Sequence, residues 1–440
     1  MIKPESNIPT VFFIFGVAGD LAQTKLLPAL FHLHKERMLP DKFHIVGFGR
    51  RDWDRSQFEE FIGSVLKEDF RDFLKYLSYQ KGTFNDLADY KIASDNLSKI
   101  DEEFGQCSNK LFYLAVPPVY YEAIFKNLHT SGLSKPCGGV SGWTRVLVEK
   151  PFGNDLKSAR SINKLLGKLF EEEQIFRIDH YLAKDTIQNI LTFRENNQLF
   201  ESLWNGKSIE KIKATILEER PVGSRGAFYD DVGALKDVGQ NHLMQMIALV
   251  TMNLSSKPQT SADIQKARAK VVKNFKLAPK ADLVRAQYDG YLEEKGVKEG
   301  SQTETYFRVE FLSKNKQWRN TKFILESGKA FKQSEAKIEV YFRSIKNKTP
   351  QNVLTFFIQP KQGIELSFGD KKLSLSFEKE NKKSLDAYEK ILLDCVYGDQ
   401  TLFASTEEVE FAWSIIMLVL DKWKNKKLLR YPQKLEKFLE

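Results

Sequence analysis

A buried strand, a glycine-containing loop and a helix follow one another near the start of this chain, and this succession limits its fold more than any other feature. Residues 10–15 (TVFFIF) form a continuous apolar run, typical of a strand buried on both faces. The loop GVAGDLA (residues 16–22) follows directly and opens a predicted helix over residues 21–37. Its glycines let the backbone turn tightly and approach a pyrophosphate at the positive end of the helix. The alternative is an ordinary turn between a strand and a helix.

Further apolar runs predict the rest of an N-terminal domain. Strands are predicted at residues 43–48, 111–116 and 145–148, with helical segments between them. Apolar strands that alternate with helices are typical of a parallel sheet covered on both faces. We therefore predict a doubly wound α/β domain of the Rossmann type over residues 1–178.

The sequence changes character after about residue 177. The later strand-like segments alternate polar with apolar residues and follow one another more closely, at residues 209–216, 306–311, 338–342, 353–358 and 372–377. This pattern is typical of a mainly antiparallel sheet with one face in water. Helices are predicted at residues 233–252 and near both ends of the segment 385–424. We predict a larger α+β domain over residues 179–440.

The composition argues against several classes of protein. The longest apolar runs fall short of the roughly 20 residues that cross a membrane, and the first residues lack a secretory pattern. Three Cys without a C-x-x-C spacing provide neither a disulfide scaffold nor a thiolate zinc site. We therefore expect no metal, no membrane association and a cytoplasmic location with reduced thiols.

The net charge of +9 leaves two kinds of partner open, nucleic acid and an anionic small molecule. The basic residues are scattered along the chain, and most aromatic residues lie inside apolar runs. Nucleic-acid binding needs a basic patch, often with exposed aromatic side chains. An anionic small molecule is therefore favoured, and nucleic acid is not expected as a partner.

The end of the second predicted strand indicates which dinucleotide the chain binds. An acidic residue there would hold the ribose 2′-hydroxyl of NAD. This chain has Arg50 and Arg51 instead, and no acid before Asp52. A guanidinium matches a phosphate bidentately, and Lys25 could add a second cation. The pattern points to the 2′-phosphate of NADP; the alternative is a pair of solvated arginines.

One histidine and one aspartate are candidates for acid–base chemistry. His242 lies in the middle of an apolar stripe at helical spacing, formed with Leu235, Val238, Met246 and Leu249. Such a histidine is either a core residue or faces a cleft. In RIDHYL (residues 177–182), Asp179 and His180 would point to opposite sides of an extended segment, so Asp179 could orient a different imidazole. Paired with His242, it would make a carboxylate–imidazole base.

These segments resemble those of the glucose-6-phosphate dehydrogenase family. The resemblance covers most of the chain and is carried by GVAGDLA (16–22), LAVPP (114–118), VEKPFG (148–153), RIDHYLAK (177–184), RGAFYD (225–230), DVGQNH (237–242), GKA (328–330), QP (359–360) and GDQTLF (398–403). It implies a Rossmann coenzyme domain followed by an α+β domain. It also implies oxidation of the C1 hydroxyl of glucose 6-phosphate to a lactone with NADP, the first step of the oxidative pentose phosphate pathway.

The resemblance also implies roles for individual residues. His242 would be the base that takes the C1 hydroxyl proton, and Asp179 its orienting carboxylate. Lys150 would contact both sugar and cofactor. The remaining substrate residues would be His180, Tyr181 and Lys184 as a phosphate clamp, Glu218 and Asp237 at the sugar hydroxyls, and Lys329 and Gln359 at the phosphate pocket. The remaining cofactor residues would be Gly16, Gly19, Asp20, Leu21, Lys25, Arg50 and Tyr121.

Several points stay open at the level of sequence. Ala18 stands where many family members carry a hydroxyl, and Ser334 where a basic residue usually supports the phosphate pocket. On an ideal α-helical wheel Asp237 lies about 140° from His242, so spacing alone does not bring them together. Family members are homodimers or homotetramers, and a homo-oligomer is expected. The alternatives are a related dehydrogenase acting on another sugar or sugar phosphate and a non-catalytic dinucleotide-binding sensor or scaffold.

Overall fold

The computed structural model describes residues 8–136, 142–254, 259–279, 281–344, 350–377 and 385–439. The chain divides into two compact units, each discontinuous in sequence. The first comprises Met1–Phe152, Arg160–Ala183 and Leu385–Ala404, and the second comprises Gly153–Ala159, Lys184–Ser384 and Ser405–Glu440. The division into domains after residue 178 stays a prediction.

The first unit contains a six-stranded parallel sheet. Its strands are β1 (Thr10–Phe15), β2 (Phe43–Gly49), β3 (Leu77–Lys81), β4 (Asn109–Leu114), β5 (Thr144–Val148) and β6 (Ile175–Arg177). Their spatial order is β3-β2-β1-β4-β5-β6, which is the order of a doubly wound dinucleotide-binding sheet. The predicted α/β fold is confirmed. The strand order reverses between β1 and β4, and in such sheets ligands bind beyond the carboxyl ends of the strands at that point.

Helices accompany this sheet along the chain. They are α1 (Leu27–Lys35), α2 (Arg55–Leu66), α3 (Arg71–Leu74), α4 (Leu87–Phe104), α5 (Tyr121–Thr130) and α6 (Leu156–Leu169), with 3-10 turns at Pro118–Tyr120 and Glu172–Gln174. A π-helical segment, Ala22–Leu26, leads into α1. The predicted helix over residues 21–37 is therefore present, with a π-helical first part. Leu26, Leu30 and Leu33 are fully buried, which places this helix on the core of the unit.

The second unit contains a ten-stranded sheet. Its strands are β7 (Ile209–Leu217), β8 (Phe275–Leu277), β9 (Leu283–Tyr288), β10 (Tyr306–Ser313), β11 (Lys322–Gly328), β12 (Glu335–Phe342), β13 (Val353–Gln359), β14 (Gly363–Phe368), β15 (Lys371–Ser376) and β16 (Leu429–Tyr431). The order is β15-β14-β13-β12-β7-β11-β10-β9-β16, and β8 also pairs with β10. The sheet is mostly antiparallel, as predicted; the pairs β7–β11 and β9–β16 are parallel.

Alternation along the strands separates the two faces of this sheet. On β7 the side chains of Ile212, Ala214 and Ile216 are buried, whereas Lys211 and Lys213 lie on the other face.

The remaining helices are α7 (Asp185–Asn196), α8 (Gln198–Ser202), α9 (Gly226–Tyr229), α10 (Met244–Thr251), α11 (Ser261–Lys273), α12 (Ala387–Tyr397) and α13 (Thr406–Trp423). A π-helical segment, Leu235–Leu243, precedes α10, and 3-10 turns lie at Gly223–Arg225, Tyr291–Glu293 and Lys316–Trp318. By sequence, α12 belongs to the first unit.

Three findings bear on the expectations drawn from composition. None of the helices within the described segments is long and apolar enough to span a membrane. Among the described residues, no group of three or more His, Cys, Asp or Glu could hold a metal ion. Cys395 is a buried free thiol, whereas Cys107 is disulfide-bonded, contrary to the expectation of fully reduced thiols.

Candidate active site

The loop after β1 has the backbone conformation that its glycines predict. Gly16 has a φ of +80°, and a Cβ atom there would lie 2.6 Å from the carbonyl oxygen of Ala115. The N–H of Gly16 donates to the carbonyl of Phe48 over 2.8 Å, and the N–H of Gly19 donates to the carbonyl of Gly16 over 2.8 Å. Position 16 therefore requires glycine both for its φ and for its close approach to the start of the loop after β4. The predicted strand–loop–helix unit is confirmed.

The other predicted cofactor residues near this loop face solvent. Asp20, Lys25 and Arg50 are exposed, and Leu21 is half-buried. Arg50 directly follows β2, where an NAD site would have its acidic residue. The next guanidinium, that of Arg51, lies over the ring of Trp53 at 4.8 Å from its centroid. A glycine cradle that a Cβ would fill, followed by a helix start and an exposed arginine, is a donor set that fits NADP.

The segment at the end of β5 holds Lys150 through its neighbour Glu149. The hydroxyl of Tyr121 donates to the backbone carbonyl of Glu149 over 3.0 Å, and that of Tyr113 donates to its Oε1 over 2.6 Å. Burial, with a smaller contribution from the charge of Asp179, raises the pKa of Glu149 to about 7, against the hydrogen bond from Tyr113 and the charge of Lys150. Tyr121 is itself buried, and the contact that the structure gives its hydroxyl is this hydrogen bond to Glu149. Its contact with the cofactor stays a prediction.

Asp179, His180 and Tyr181 lie in a turn that follows β6. The carboxylate of Asp179 is buried, and its Oδ1 accepts a hydrogen bond from the N–H of Tyr181 over 3.0 Å. The N–H of Leu182 donates to the carbonyl of Asp179 over 3.0 Å. The segment is therefore not extended, so the alternation argument applied to Asp179 and His180 does not hold. The rings of His180 and Tyr181 lie 5.1 Å apart.

In the second unit, four predicted substrate residues meet in two pairs at one end of the sheet. Leu217 pairs with Gly328 and with Glu335, and Ala336 pairs with Gln359. Glu218 and Lys329, one residue beyond Leu217 and Gly328, form an ion pair through Oε2 and Nζ. The Nζ of Lys184, at the start of α7, donates to the Oε1 of Gln359. The tertiary fold thus brings together residues that are far apart in sequence: Glu218 and Lys329 are separated by 111 residues, and Lys184 and Gln359 by 175.

Ser334 lies at the same end of the sheet and has a structural contact. Its hydroxyl accepts a hydrogen bond from the N–H of Glu219 over 2.9 Å. Glu219 follows Glu218, whose own N–H donates to the carbonyl of Gly328 over 2.8 Å. Ser334 therefore helps to hold the backbone that presents Glu218.

His242 and Asp237 lie on the π-helical segment Leu235–Leu243. The predicted apolar stripe is confirmed, because His242 is only 2% exposed and Leu235, Val238, Met246 and Leu249 are buried with it. The α-helical wheel does not apply here, because the segment is a π-helix, in which the backbone bonds residue i to residue i+5. Asp237 and His242 are five residues apart, the separation that such a backbone hydrogen bond joins. Asp237 is therefore much closer to the histidine's side of the helix than α-helical spacing implies.

Glu304 holds the start of this π-helix, and the sequence did not single it out. Its Oε1 accepts a hydrogen bond from the N–H of Leu235 over 3.0 Å, and its backbone carbonyl accepts one from Ala234 over 3.0 Å. Burial raises the pKa of Glu304 to about 7. Glu149 was equally missed as a site residue, although it lies inside the VEKPFG segment. No local sequence pattern marks either acid, because the group that donates a hydrogen bond to each carboxylate lies far away in the sequence: Tyr113 for Glu149 and Leu235 for Glu304.

Each unit thus brings together part of the predicted site. The first unit holds the glycine loop, Arg50, Lys150 and the turn that contains Asp179. The second unit holds Lys184, Glu218, Asp237, His242, Lys329 and Gln359. The pairing of Asp179 with His242 stays a prediction, as do the roles of the individual residues.

Comparisons with known proteins agree with this picture over nearly the whole chain. Two family models match: "Glucose-6-phosphate dehydrogenase, NAD binding domain" over residues 13–189 and "Glucose-6-phosphate dehydrogenase, C-terminal domain" over residues 191–437. The chain is 35% identical to glucose-6-phosphate 1-dehydrogenase 2 of Mycobacterium tuberculosis, covering 94% of this chain and 88% of that protein. It is 33% identical to glucose-6-phosphate 1-dehydrogenase of Bacillus subtilis, covering 97% and 94%.

Solved structures give the same result. A glucose-6-phosphate dehydrogenase in complex with its substrate glucose-6-phosphate is 27% identical and superimposes with a TM-score of 0.89, covering 98% of this chain and 95% of that one. A glucose-6-phosphate 1-dehydrogenase from Mycobacterium avium is 30% identical, with a TM-score of 0.82, covering 97% and 95%. The two family models, which together cover nearly the whole chain, and the relatives of more than 30% identity show that this chain belongs to the glucose-6-phosphate dehydrogenase family.

Proposed function

We propose that this chain oxidises the C1 hydroxyl of D-glucose 6-phosphate to 6-phospho-D-glucono-1,5-lactone with NADP, the first step of the oxidative pentose phosphate pathway. Membership of the family supports the reaction. The observation that carries the substrate is the end of the ten-stranded sheet, where Lys184 meets Gln359 and Lys329 meets Glu218. Cations beside acceptors are the groups that a sugar phosphate needs, because its phosphate is a dianion and its hydroxyls are donors.

The cofactor is held by the first unit. Gly16, Gly19, Asp20, Leu21, Lys25, Arg50 and Tyr121 belong to the proposed NADP site. The glycine loop lets the pyrophosphate approach the backbone, and Arg50 selects the 2′-phosphate. Bound NADP supplies the acceptor for the hydride that leaves C1. Lys150, which follows the fixed Glu149, contacts both the cofactor and the sugar.

The proton is handled by the chain's own residues. His242 takes the proton of the C1 hydroxyl as the C–H bond breaks, so that charge does not accumulate on the oxygen. Asp179 orients the imidazole in the correct tautomer and stabilises the imidazolium that forms. Each of the two residues is buried, which supports these roles, because a polar group shielded from water interacts more strongly with its partner.

The substrate is held by the residues that the family resemblance assigns to its phosphate and its hydroxyls. His180, Tyr181 and Lys184 clamp the phosphate, with Lys329 and Gln359 lining its pocket. Glu218 and Asp237 accept hydrogen bonds from sugar hydroxyls. The clamp would have no ligand in an unphosphorylated sugar, so this set favours a sugar phosphate.

We further propose that the protein is a cytoplasmic homodimer or homotetramer. The family resemblance supports an oligomer. A second support is the edge strand β15, whose Leu373 and Leu375 are 63% and 60% exposed. Exposed apolar side chains on a sheet edge are commonly covered by a partner. Light scattering on the purified protein would give the oligomeric state, and a monomer would contradict this proposal.

The reaction is tested by NADPH formation with the purified protein. Glucose 6-phosphate is compared with unphosphorylated glucose, and NADP with NAD. Rapid turnover only with the phosphorylated sugar is expected, with NADP preferred because of Arg50. Turnover of glucose at a similar rate would overturn the phosphate clamp, and NADP binding without turnover of either sugar would overturn the proposed reaction.

A further inference from the structure

Tyr229, the last residue of α9, has a buried hydroxyl with no hydrogen-bond partner among the described residues. The residue is 1% exposed. In the described segments no group donates a hydrogen bond to its hydroxyl or accepts one from it. A buried polar group left unsatisfied costs free energy, so native proteins keep few of them, and those few call for an explanation.

The other buried tyrosines near it contrast with this. Their hydroxyls all have partners: Tyr291 with Asp230 over 2.9 Å, Tyr288 with Glu294 over 2.7 Å, Tyr306 with Glu326 over 2.6 Å, and Tyr431 with the carbonyl of Lys329 over 2.8 Å. The hydroxyls of these four buried tyrosines in the second unit therefore all form hydrogen bonds. Tyr229 departs from this rule at a particular place, beside the proposed substrate residues.

Tyr229 faces the proposed sugar-phosphate residues from inside the unit. The Nζ of Lys329 lies over its ring, 5.4 Å from the centroid. Burial raises the pKa of the phenol well above its usual value, and the charge of Asp237 is the largest electrostatic contribution to this, ahead of Glu304 and Glu218. The phenol thus stays protonated, and its hydroxyl is a hydrogen-bond donor on which the charges of Asp237, Glu304 and Glu218 act.

We propose that Tyr229 is a positioning residue of the sugar-phosphate site, and this rests on the proposed function. Its ring holds the ammonium of Lys329, which also pairs with Glu218. Its hydroxyl donates to the carboxylate of Asp237 when that carboxylate binds a sugar hydroxyl. Within the described residues the hydroxyl has no partner in the free protein, and it gains one in the complex, so the free energy lost by leaving it unsatisfied is regained on substrate binding.

The substitution Tyr229→Phe tests the hydroxyl alone. We expect the KM for glucose 6-phosphate to rise about tenfold, the fold-change that follows loss of a hydrogen bond to a charged group. We expect kcat within about twofold of the wild type and an unchanged KM for NADP. The melting temperature should stay the same or rise, because the lost hydroxyl has no partner in the described part of the free protein. A structural role would instead lower the melting temperature and leave KM unchanged.

The matched control is Tyr306→Phe, which removes a hydroxyl that does have a buried partner, Glu326. It should lower the melting temperature and leave the KM for glucose 6-phosphate unchanged. Equal effects of the two substitutions on KM would overturn the proposal, as would an unchanged KM in Tyr229→Phe.

A second readout separates this proposal from the proposed function. Glucose 6-phosphate should raise the melting temperature of the wild type, and less so that of Tyr229→Phe, whether or not turnover is seen. If the wild type binds glucose 6-phosphate without oxidising it, the proposed reaction fails while the role of Tyr229 can still be measured. If glucose 6-phosphate stabilises both proteins equally, the role of Tyr229 is overturned.

Discussion

The hydroxyl of Tyr113 donates a hydrogen bond of 2.6 Å to the Oε1 of Glu149, and burial raises the pKa of that carboxyl to about 7. Tyr388 also faces the carboxyl, and Asp179 and Lys150 act on it electrostatically. The acid that precedes Lys150 is thus poised to titrate near neutral pH. This gives the segment at the end of β5 a pH dependence that its sequence does not show.

Glu149→Gln should reduce the pH dependence of stability. A carboxyl whose folded pKa is raised from 4.5 to about 7 stabilises the fold fully below pH 4.5, and this contribution is lost as pH rises through about 7. We expect the variant to lose less stability than the wild type between pH 5 and pH 8, by on the order of 2–3 kcal/mol at most. Melting temperatures at both pH values measure this.

Other acids contribute to the pH dependence of stability, and an exposed acid provides the control variant. Glu304 and Asp394 also have pKa values of about 7, so the variant keeps part of the dependence. Glu122→Gln changes an exposed acid paired with Lys126, and it should behave like the wild type. An identical loss in wild type and Glu149→Gln would show that Glu149 is ionised across this range.

Gly16→Ala should abolish tight NADP binding and destabilise the protein. The added Cβ would lie 2.6 Å from the carbonyl oxygen of Ala115 at a φ of +80°. Gly132 is a matched control, because its φ is +81° and a Cβ there meets nothing within 4 Å. Gly132→Ala should cost about 1 kcal/mol from backbone strain alone and leave NADP affinity intact. NADP affinity is measured by fluorescence titration. Equal affinity in the wild type and Gly16→Ala would contradict the proposal that the loop needs a glycine at position 16 to bind NADP.

His242→Asn should lower kcat by roughly 10²–10⁴-fold and leave the KM for glucose 6-phosphate nearly unchanged. The reason is that it removes a proton transfer made in the transition state rather than a contact made in the ground state. His44→Asn is a suitable control, since His44 lies in the first unit and its Nε2 is hydrogen-bonded to Ser78 over 2.9 Å. Steady-state kinetics give the result, with melting curves to check folding. Unchanged turnover in His242→Asn would remove the histidine from the chemistry.

Lys184→Ala should mainly raise the KM for glucose 6-phosphate. It removes a cation that binds the phosphate in the ground state and releases its partner Gln359. Lys126→Ala removes an exposed lysine of the first unit that pairs with Glu122, and its KM should equal that of the wild type. Kinetics at saturating NADP separate the two variants. Were KM the same in both, Lys184 would lie outside the phosphate site.

The sequence predicts those elements whose local pattern is strong. The strand Thr10–Phe15 has the predicted bounds, β2 and β5 are each one residue longer than predicted, and β4 begins and ends two residues earlier than predicted. The missed strands include β3 (LSYQK), which is short and amphipathic, and β6, which has three residues. Such segments form strands because they hydrogen-bond to an adjacent strand of the sheet. Local propensity does not predict them, since that adjacent strand comes from another part of the chain.

What the sequence by itself determined is the succession of an α/β and an α+β part, the glycine loop and the arginine after β2, because periodicity and turn chemistry are local properties, whereas the residues of the proposed site follow from the resemblance of its motifs to the glucose-6-phosphate dehydrogenase family. Only the tertiary structure decided which of these residues meet. The pairs Lys184–Gln359 and Lys329–Glu218, the raised pKa of Glu149 and the unpartnered hydroxyl of Tyr229 depend on groups far apart in the chain. The i→i+5 hydrogen bonding of the segment that carries Asp237 and His242 likewise became known only from the structure, because the α-helical spacing applied to the sequence does not contain it.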